Sequence, residues 1–276
     1  MRSLEGEVAI VTGASVGLGR SMALALAAAG ARVTLASPQT ALLAEVADEI
    51  TKQHGPGRAL AVTTDITSRD QCDACVNHTV EAFGKISILI NNARREQRGA
   101  GLPKAGNNFP FWESNPDVWI QALNVNVGGS FLMARSAAPY MIARGWGRIL
   151  NISTSLDTMQ RKHNSPYGVT KAALDAASLI WAADLEGTGV TVNILLPGGM
   201  VDTDGTRPST PQRTTLPVEV MNKAMLWLVS QESNGRTGQR FVGRSWPLDI
   251  PPAQAADLAL EPPVLRPVAP KNATEK

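Results

Sequence analysis

Short runs of β-branched and aliphatic residues alternate along this chain with longer stretches rich in alanine and leucine, and this alternation constrains the fold more than any other feature. The short runs predict buried strands at residues 8–12, 32–36, 59–64, 86–90, 148–152 and 190–195. The longer stretches predict helices at residues 18–29, 40–52, 68–83, 117–143 and 167–185. Strands joined through helices pair in parallel, with the helices on both faces of the sheet. The sequence therefore predicts an α/β fold with a doubly wound parallel sheet.

The domain organisation follows from where this alternation stops. We predict a single domain over residues 1–245 and a proline-rich tail over residues 246–276, which has no convincing periodicity after Ala259 and is expected to be extended or disordered. Residues 93–116 and 198–217 form two long irregular stretches, and loops of that length in a compact domain are usually functional lids or disordered insertions.

Composition excludes several classes of protein. Of the 276 residues 43% are hydrophobic and 18% charged, which supports a sizeable core. A net charge of +2 gives no reason to expect a nucleic acid or a membrane surface as partner. The chain begins with charged residues instead of the apolar run of a secretion signal, and it has no stretch of about 20 apolar residues. We expect a cytoplasmic protein that acts on a small molecule and holds no metal.

A glycine-rich turn joins the first predicted strand to the first predicted helix. Its glycines are Gly13, Gly17 and Gly19, in the segment TGASVGLG that begins at Thr12. Glycines at such a turn let the backbone approach a pyrophosphate, whose charge is stabilised by the helix N-terminus. The strand before the turn and the helix after it favour this interpretation over that of a simple turn.

Five ordered motifs carry a resemblance to a known family. Besides the glycine turn they are Asn91-Asn92-Ala93, Asn126, the segment from Tyr167 to Lys171, and Leu196-Pro197-Gly198 followed by Thr203. In this order the chain resembles the short-chain dehydrogenase/reductase family over about residues 5–243. The resemblance implies a Rossmann-like fold, a nicotinamide cofactor, interconversion of a secondary alcohol and a ketone, and a homodimer or homotetramer assembled through the long helices. The cofactor-binding residues that it implies are Gly13, Ser15, Gly17, Leu18, Gly19, Ser37, Asp65, Ile66, Asn92, Ala93, Tyr167, Lys171, Pro197, Gly198 and Thr203.

The candidate catalytic residues are Tyr167, Lys171, Thr154 and Asn126. Tyr167 and Lys171 are four residues apart, so a helix brings them to one face. The resemblance implies that Tyr167 exchanges a proton with the substrate, that Lys171 lowers the pKa of Tyr167 and holds the nicotinamide ribose, and that Asn126 holds a water in a proton relay toward Lys171. The family usually has a serine 13 residues before the tyrosine. Here that position is Thr154, which keeps the hydroxyl, and Ser153 and Ser155 are the alternatives.

Two positions near the cofactor depart from the family pattern. Arg94 stands where the family usually has a glycine, and its side chain either points away or contacts a phosphate or an acidic substrate. At the end of the second strand, NAD-dependent relatives usually carry an acid, whereas this chain has Ser37, which favours NADP. Val16 stands where many NADP-specific relatives have a basic residue, so it favours NAD.

The remaining features leave more than one interpretation open. Cys72 and Cys75 form a C-x-x-C within a predicted helix, so we interpret them as buried thiols. His163 either lines the substrate cleft or lies in solvent. Basic residues in the two loops either indicate an acidic substrate, such as a hydroxy acid, a keto acid, a sugar acid or a 3-oxoacyl group, or form a charged loop in solvent. Aromatic residues in the first loop either cap the pocket or anchor the loop. These residues are Arg94, Arg95, Arg98, Lys104, Arg207 and Arg213, with Phe109, Phe111 and Trp112. The alternatives to a dehydrogenase are an inactive nucleotide-binding regulator and an epimerase or dehydratase.

Overall fold

The computed structural model describes residues 4–95, 110–203 and 214–265. Within these residues, eight strands form one sheet in the order β3-β2-β1-β4-β5-β6-β7-β8. The first seven pair in parallel and β8 is antiparallel to β7. The strands are β1 (Val8–Thr12), β2 (Arg32–Ser37), β3 (Ala59–Thr63), β4 (Ile88–Asn91), β5 (Gly147–Ile152), β6 (Val190–Leu196), β7 (Arg240–Val242) and β8 (Leu260–Glu261).

Helices cover both faces of this sheet, so the prediction of a doubly wound α/β fold is confirmed. Successive residues of a strand point to opposite faces; Ala9 and Val11 pack in one core layer and Ile10 in the other. The first layer contains residues of α1, α2, α8 and α9, and the second contains residues of α3, α5 and α7. The helices are α1 (Gly17–Ala28), α2 (Thr40–His54), α3 (Arg69–Phe83), α4 (Pro116–Leu123), α5 (Ser130–Ala143), α6 (Leu156–Met159), α7 (Tyr167–Asp184), α8 (Asn222–Leu228) and α9 (Pro252–Leu258).

The single helix predicted at residues 117–143 is divided in the structure. A π-helical turn, Asn124–Gly129, separates α4 from α5. Gly129 packs against Ile66, where an added Cβ would lie 2.5 Å from the Ile66 side chain. Turns of this kind are rare and occur mostly at functional sites. Side-chain periodicity cannot distinguish one wide turn within a long helix, so the sequence predicted the helix without its interruption.

The C-terminal segment corrects the prediction of an extended or disordered tail. Trp246 packs against Trp227 of α8 with ring centroids 5.6 Å apart, and α9 and β8 follow it. Ala255 and Ala259 are fully buried in the first core layer. The helix α9 has seven residues and begins with proline, and β8 has two residues. Both are too short to show a period in the sequence, so the prediction of an extended or disordered tail rested on the prolines. Residues 266–276 of the predicted tail lie outside the described residues.

The two cysteines lie in α3, as the sequence indicated. Both thiols are free and fully buried in the second core layer. Burial raises the pKa of Cys72 to about 12 and that of Cys75 to about 11. They therefore pack as small apolar side chains.

No helix in the described part of the chain is long and apolar enough to cross a membrane. The structure describes part of each long irregular stretch. The first contains a 3-10 turn, Phe111–Glu113, and the second an isolated bridge between Val201 and Leu216.

Candidate functional site

A cavity of about 1170 Å³ opens where β1, β4, β5 and β6 end. In a parallel sheet the carboxyl ends of all strands lie at one edge. Ligands bind at that edge, at the point where the strand order reverses. Here the order reverses between the neighbouring strands β1 and β4, because the chain continues from β1 to β2 on one side and from β4 to β5 on the other. The cavity is lined by all fifteen residues for which the sequence predicted cofactor contact, and by Thr154. Asn126 is absent from its lining.

The glycine turn forms one end of the cavity at the N-terminus of α1. Gly13 and Gly17 have φ of 65° and 55°, a conformation that side chains other than glycine rarely adopt. At Gly19 an added Cβ would lie 2.1 Å from the Gly13 carbonyl oxygen, so only glycine lets α1 start this close to β1. The N-terminus of α1, whose first N–H groups have no acceptor within the helix, lies at the cavity, as binding of a pyrophosphate requires.

Hydrogen bonds between β1 and β4 hold the turn in place. The Thr12 hydroxyl accepts from the Asn92 and Ala93 amides, at 3.0 Å each. The Asn92 side-chain amide donates to the Thr12 and Gly13 carbonyls at 2.9 and 3.2 Å. The floor of the cavity is thus fixed by hydrogen bonds between the ends of β1 and β4.

Ser15, Ser37 and Gln39 form a small polar cluster beside the glycine turn. The Ser15 hydroxyl donates to Gln39 Oε1 at 2.6 Å and lies 3.2 Å from the Ser37 hydroxyl. Before α3, the Asp65 carboxylate accepts from the Thr67 amide at 2.9 Å, and this hydrogen bond closes the turn. Ser15, Ser37 and Asp65 all line the cavity, and Asp65 also has a structural role in the turn before α3.

Tyr167 and Lys171 begin α7 and face the same cavity. The Lys171 Nζ donates to the Ile152 carbonyl at 2.6 Å, and only 2% of the residue is exposed. Burial lowers the pKa of Lys171 to about 7, and the positive charge of Arg94 lowers it in the same direction. The lysine is therefore fixed against the end of β5, in surroundings that disfavour its positive charge.

The three hydroxyl residues after β5 have different surroundings. Ser155 caps α6, because its side chain accepts from the Thr158 amide at 3.4 Å. The Ser153 hydroxyl is buried and has no hydrogen-bond partner among the described residues. Thr154 is half-buried at the cavity wall. All three line the cavity and only Ser155 has a capping role, so Thr154, which the sequence favours, and Ser153 both fit the position of the substrate-binding hydroxyl.

Asn126 is fully buried within the π-helical turn. Its side-chain amide donates to Thr170 Oγ1 at 3.0 Å and to the Arg95 carbonyl at 3.2 Å, and its Oδ1 accepts from the Arg95 amide at 2.7 Å. Asn126 therefore joins the segment after β4 to α7. Its part in a proton relay stays a prediction.

Three arginines line the cavity, Arg94, Arg95 and Arg161. Asp65 and Asp157 line it as well, so positive charge is in excess in the lining. Sequence reasoning missed Arg161, although it lies in the segment between Thr154 and Tyr167 where the substrate cleft was expected. His163, the residue proposed there, has φ of 64° and is not among the lining residues.

The aromatic loop residues that the structure describes do not cap the cavity. Phe111 and Trp112 stack edge to face with ring centroids 5.3 Å apart, are 72% and 71% exposed, and do not line it. Phe109, Arg98, Lys104, Arg207 and Arg213 lie outside the described residues.

A doubly wound sheet with a glycine turn at its carboxyl edge is the architecture of Rossmann-like dinucleotide-binding proteins. Comparison with known proteins is more specific. A family model described as short chain dehydrogenase matches residues 7–214, and the chain belongs to this family of short-chain dehydrogenases/reductases.

Individual relatives agree with that assignment over most of the chain. A short chain dehydrogenase/reductase of Aspergillus oryzae is 32% identical, covering 86% of this chain and 92% of the relative. A 3-oxoacyl-[acyl-carrier-protein] reductase of Thermotoga maritima is 30% identical, covering 86% and 95%. Among solved structures, a 3-ketoacyl-(acyl-carrier-protein) reductase from Brucella melitensis complexed with NADH aligns with a TM-score of 0.75 at 29% identity, covering 86% of this chain and 96% of that one.

Proposed function

We propose that this protein is an NADP(H)-dependent oxidoreductase that interconverts a secondary alcohol and a ketone. The observation that carries the proposal is that Tyr167, Lys171 and the glycine turn face one cavity. A dinucleotide bound along the turn would reach the tyrosine across that cavity. The similarity to a reductase solved with NADH supports a nicotinamide cofactor.

Tyr167 is the acid and base of the proposed reaction. A tyrosine with its ordinary pKa near 10 is a weak base at neutral pH, and a cationic neighbour favours its phenolate. Lys171 lies one helical turn away and supplies that charge when protonated. When bound, the nicotinamide supplies or accepts a hydride at the substrate carbon. Tyr167 gives a proton to the substrate oxygen during reduction and takes it back during oxidation, while the Thr154 hydroxyl donates a hydrogen bond to the same oxygen.

The choice of NADP(H) rests on the cluster of Ser15, Ser37 and Gln39. Its side chains carry hydroxyl and amide groups, so this end of the cavity holds no carboxylate on β2 to repel a 2′-phosphate. Hydroxyls and amides also donate hydrogen bonds to phosphate oxygens. NAD(H) is the competing outcome and is measured in the same experiment.

The proposed substrate class rests on the three arginines that line the cavity. The side chains of Arg94, Arg95 and Arg161 favour a polar or acidic substrate, because guanidinium groups bind carboxylate and phosphate. Hydroxy acids, keto acids, sugar acids and 3-oxoacyl groups all meet this requirement. The relatives named 3-oxoacyl-[acyl-carrier-protein] reductases support the last of these.

A homodimer or homotetramer is the proposed assembly. Phe131 and Ile142 on α5 and Val169 and Ile180 on α7 are each at least 44% exposed, which leaves apolar area on these two helices for a second copy. Analytical ultracentrifugation of the full chain tests this, and a monomer at micromolar concentration would contradict it.

The activity test compares NADPH and NADH consumption over keto acids, keto sugar acids, 3-oxoacyl thioesters and neutral cyclic ketones. We expect NADPH-dependent reduction of an anionic ketone. The Tyr167→Phe variant should lower kcat by about 100-fold to 10,000-fold, the range for loss of a general acid. The matched control is Tyr140→Phe, because Tyr140 is the other tyrosine of the chain and its hydroxyl bonds to Asn77 on the surface.

Three outcomes would contradict parts of the proposal separately. Turnover that survives in Tyr167→Phe would rule out the acid–base role. A preference for NADH would rule out the assigned cofactor alone. Tight binding of NADPH without turnover of any ketone or alcohol, with Tyr167→Phe binding equally well, would support a nucleotide-binding regulator in place of an enzyme.

A further inference from the structure

Arg240 is a buried cation that the proposed reaction does not use. It lies in β7 with its side chain fully excluded from solvent, and its guanidinium faces groups from three other elements. It forms an ion pair with the buried Asp175 carboxylate of α7. One NH2 group also donates to Glu261 Oε2 on β8 at 2.7 Å and to the Thr154 carbonyl at 3.0 Å. A buried charge is tolerated only when it is paired and hydrogen-bonded, and here two carboxylates and a carbonyl supply the partners.

The contact with Thr154 completes a row of bonds along the end of β5. The Ile152 carbonyl accepts from Lys171 Nζ at 2.6 Å, and the Ser153 amide donates to the Leu195 carbonyl at 2.9 Å. Arg240 then holds the carbonyl of Thr154, the residue that carries the candidate hydroxyl. Three successive residues are thus each fixed by one hydrogen bond where the chain leaves the sheet.

The contact with Asp175 ties the same guanidinium to the helix of the other candidate catalytic residues. Asp175 is four residues after Lys171, so the two lie on one face of α7. Arg240 therefore bonds at once to the element that carries Tyr167 and Lys171 and to the segment that carries Thr154. A guanidinium, with five donors in a planar fork, can serve several acceptors in this way, whereas a lysine ammonium is a point charge on a flexible stem.

We propose that Arg240 is a positioning residue, which fixes the Thr154 hydroxyl relative to Tyr167 and Lys171, and that Glu261 makes the C-terminal strand a part of this support. The proposal rests on the proposed oxidoreductase function for its kinetic consequence, while its structural consequence can be measured without turnover.

The test uses the double variant Arg240→Met/Asp175→Ala in the full-length protein. Removing both charges avoids leaving a carboxylate buried without a partner, which would threaten folding. Hydrogen–deuterium exchange of the free protein is measured first. We expect amides in residues 153–158 to exchange at least about tenfold faster than in the wild type, with those of β1 unchanged. Unchanged exchange at residues 153–158 in the folded variant would overturn the proposal, whether or not a substrate is known.

Kinetics then separate positioning from general stability. We expect kcat to fall by about 10-fold to 100-fold with the KM for cofactor unchanged, because small displacements of a reacting group have effects of that size. In a Thr154→Val background the same double substitution should have no further effect on kcat, since the hydroxyl it positions is gone. If the double substitution lowers kcat by the same factor in the Thr154→Val protein as in the wild type, Arg240 does not act through Thr154.

Two further variants complete the design. Arg236→Met breaks the ion pair of Arg236 with Asp257, 2.5 Å apart, in the same C-terminal region, and should leave kcat at the wild-type value. Glu261→Gln removes one charge from Arg240 without changing side-chain size, and should give a smaller loss of kcat than the double variant. A wild-type protein that turns over no substrate would refute the proposed function, and the exchange measurement would still decide the role of Arg240.

Discussion

The amino group of Lys171 is buried at the end of β5, where the surrounding structure disfavours its positive charge. Burial is the main cause and the charge of Arg94 the second, and together they lower the pKa to about 7. In the unfolded chain the pKa returns to its ordinary value of 10.5. Between those two values the unfolded state binds the proton and the native state does not, so native stability rises with pH.

This difference predicts a pH dependence of stability that is specific to one residue. Between pH 7 and 9 the free energy of unfolding of the cofactor-free protein should gain a contribution of about 1 kcal/mol per pH unit from Lys171. Above the ordinary thiol value of 9.0 the raised pKa values of Cys72 and Cys75 act in the opposite direction, because their unfolded thiols lose protons first. Denaturant unfolding at pH 7, 8 and 9 measures the slope.

The control for this measurement is Lys162→Met, which removes an exposed lysine and should keep the wild-type slope. Lys171→Met should lose it. Equal slopes in Lys171→Met and the wild type would mean that the buried amine is not neutralised in this range.

At the residue scale, the sequence predicted the part of the site that is encoded locally. Tyr167 and Lys171 are one helical turn apart, so their spacing places them on one face of a helix. The spacing of the glycines likewise marks the turn before α1, so both features can be predicted from neighbouring residues. Arg240 is 65 residues beyond Asp175 in the chain and meets it only because β7 pairs with β6 beside α7. No sequence period reports a contact that the sheet order creates, so that ion pair could not have been predicted.

At the scale of secondary structure, the connection from β1 to α1 depends on the absence of a side chain at Gly19. A methyl group there would have to occupy the space of the Gly13 carbonyl. The turn would open or α1 would shift, and the N-terminus of α1 would move relative to the cavity.

Gly19→Ala is therefore expected to weaken dinucleotide binding by at least about 100-fold, with a smaller loss of stability. Isothermal titration with NADPH and NADH measures the binding, and circular dichroism checks the fold. Gly128→Ala is the matched control, because the nearest contact for its Cβ is the Leu123 carbonyl at 3.9 Å and its φ is not positive. Wild-type affinity in a folded Gly19→Ala protein would disprove the tight-turn argument.

The predictability of the elements followed their length. The strands β1, β2, β3, β5 and β6 and the helices α1, α2, α3 and α7 lie within two residues of their predicted ends, because each spans enough residues to show its period. The helices α8 and α9 have seven residues each, and β7 and β8 have three and two. Tertiary packing decides the structure of such short segments, and the sequence pattern left them unassigned.

At the scale of the whole molecule, the C-terminal segment completes both a core layer and a sheet edge. Trp246 and the buried alanines of α9 fill the layer beneath α8, and β8 adds an antiparallel strand outside β7. Loss of a single buried tryptophan typically costs about 3–5 kcal/mol, a large share of the 5–15 kcal/mol by which domains are stable.

Truncation after residue 245 should therefore lower the free energy of unfolding by at least about 5 kcal/mol or prevent folding. The matched control is truncation after residue 265, which removes none of the contacts of Trp246, α9 and β8. Thermal unfolding of both proteins by circular dichroism gives the comparison. If the shorter protein melts within a few degrees of the longer one, residues 246–265 are dispensable for the fold.

The two buried cysteines also give the molecule an internal reporter. Thiol reagents attack the thiolate, and Cys72 and Cys75 are fully buried with raised pKa values, so labelling at neutral pH must wait for the layer around α3 to open. Every cysteine of the chain lies in this one helix. The labelling rate therefore follows the opening of a single face of the sheet, and no surface thiol adds a background signal.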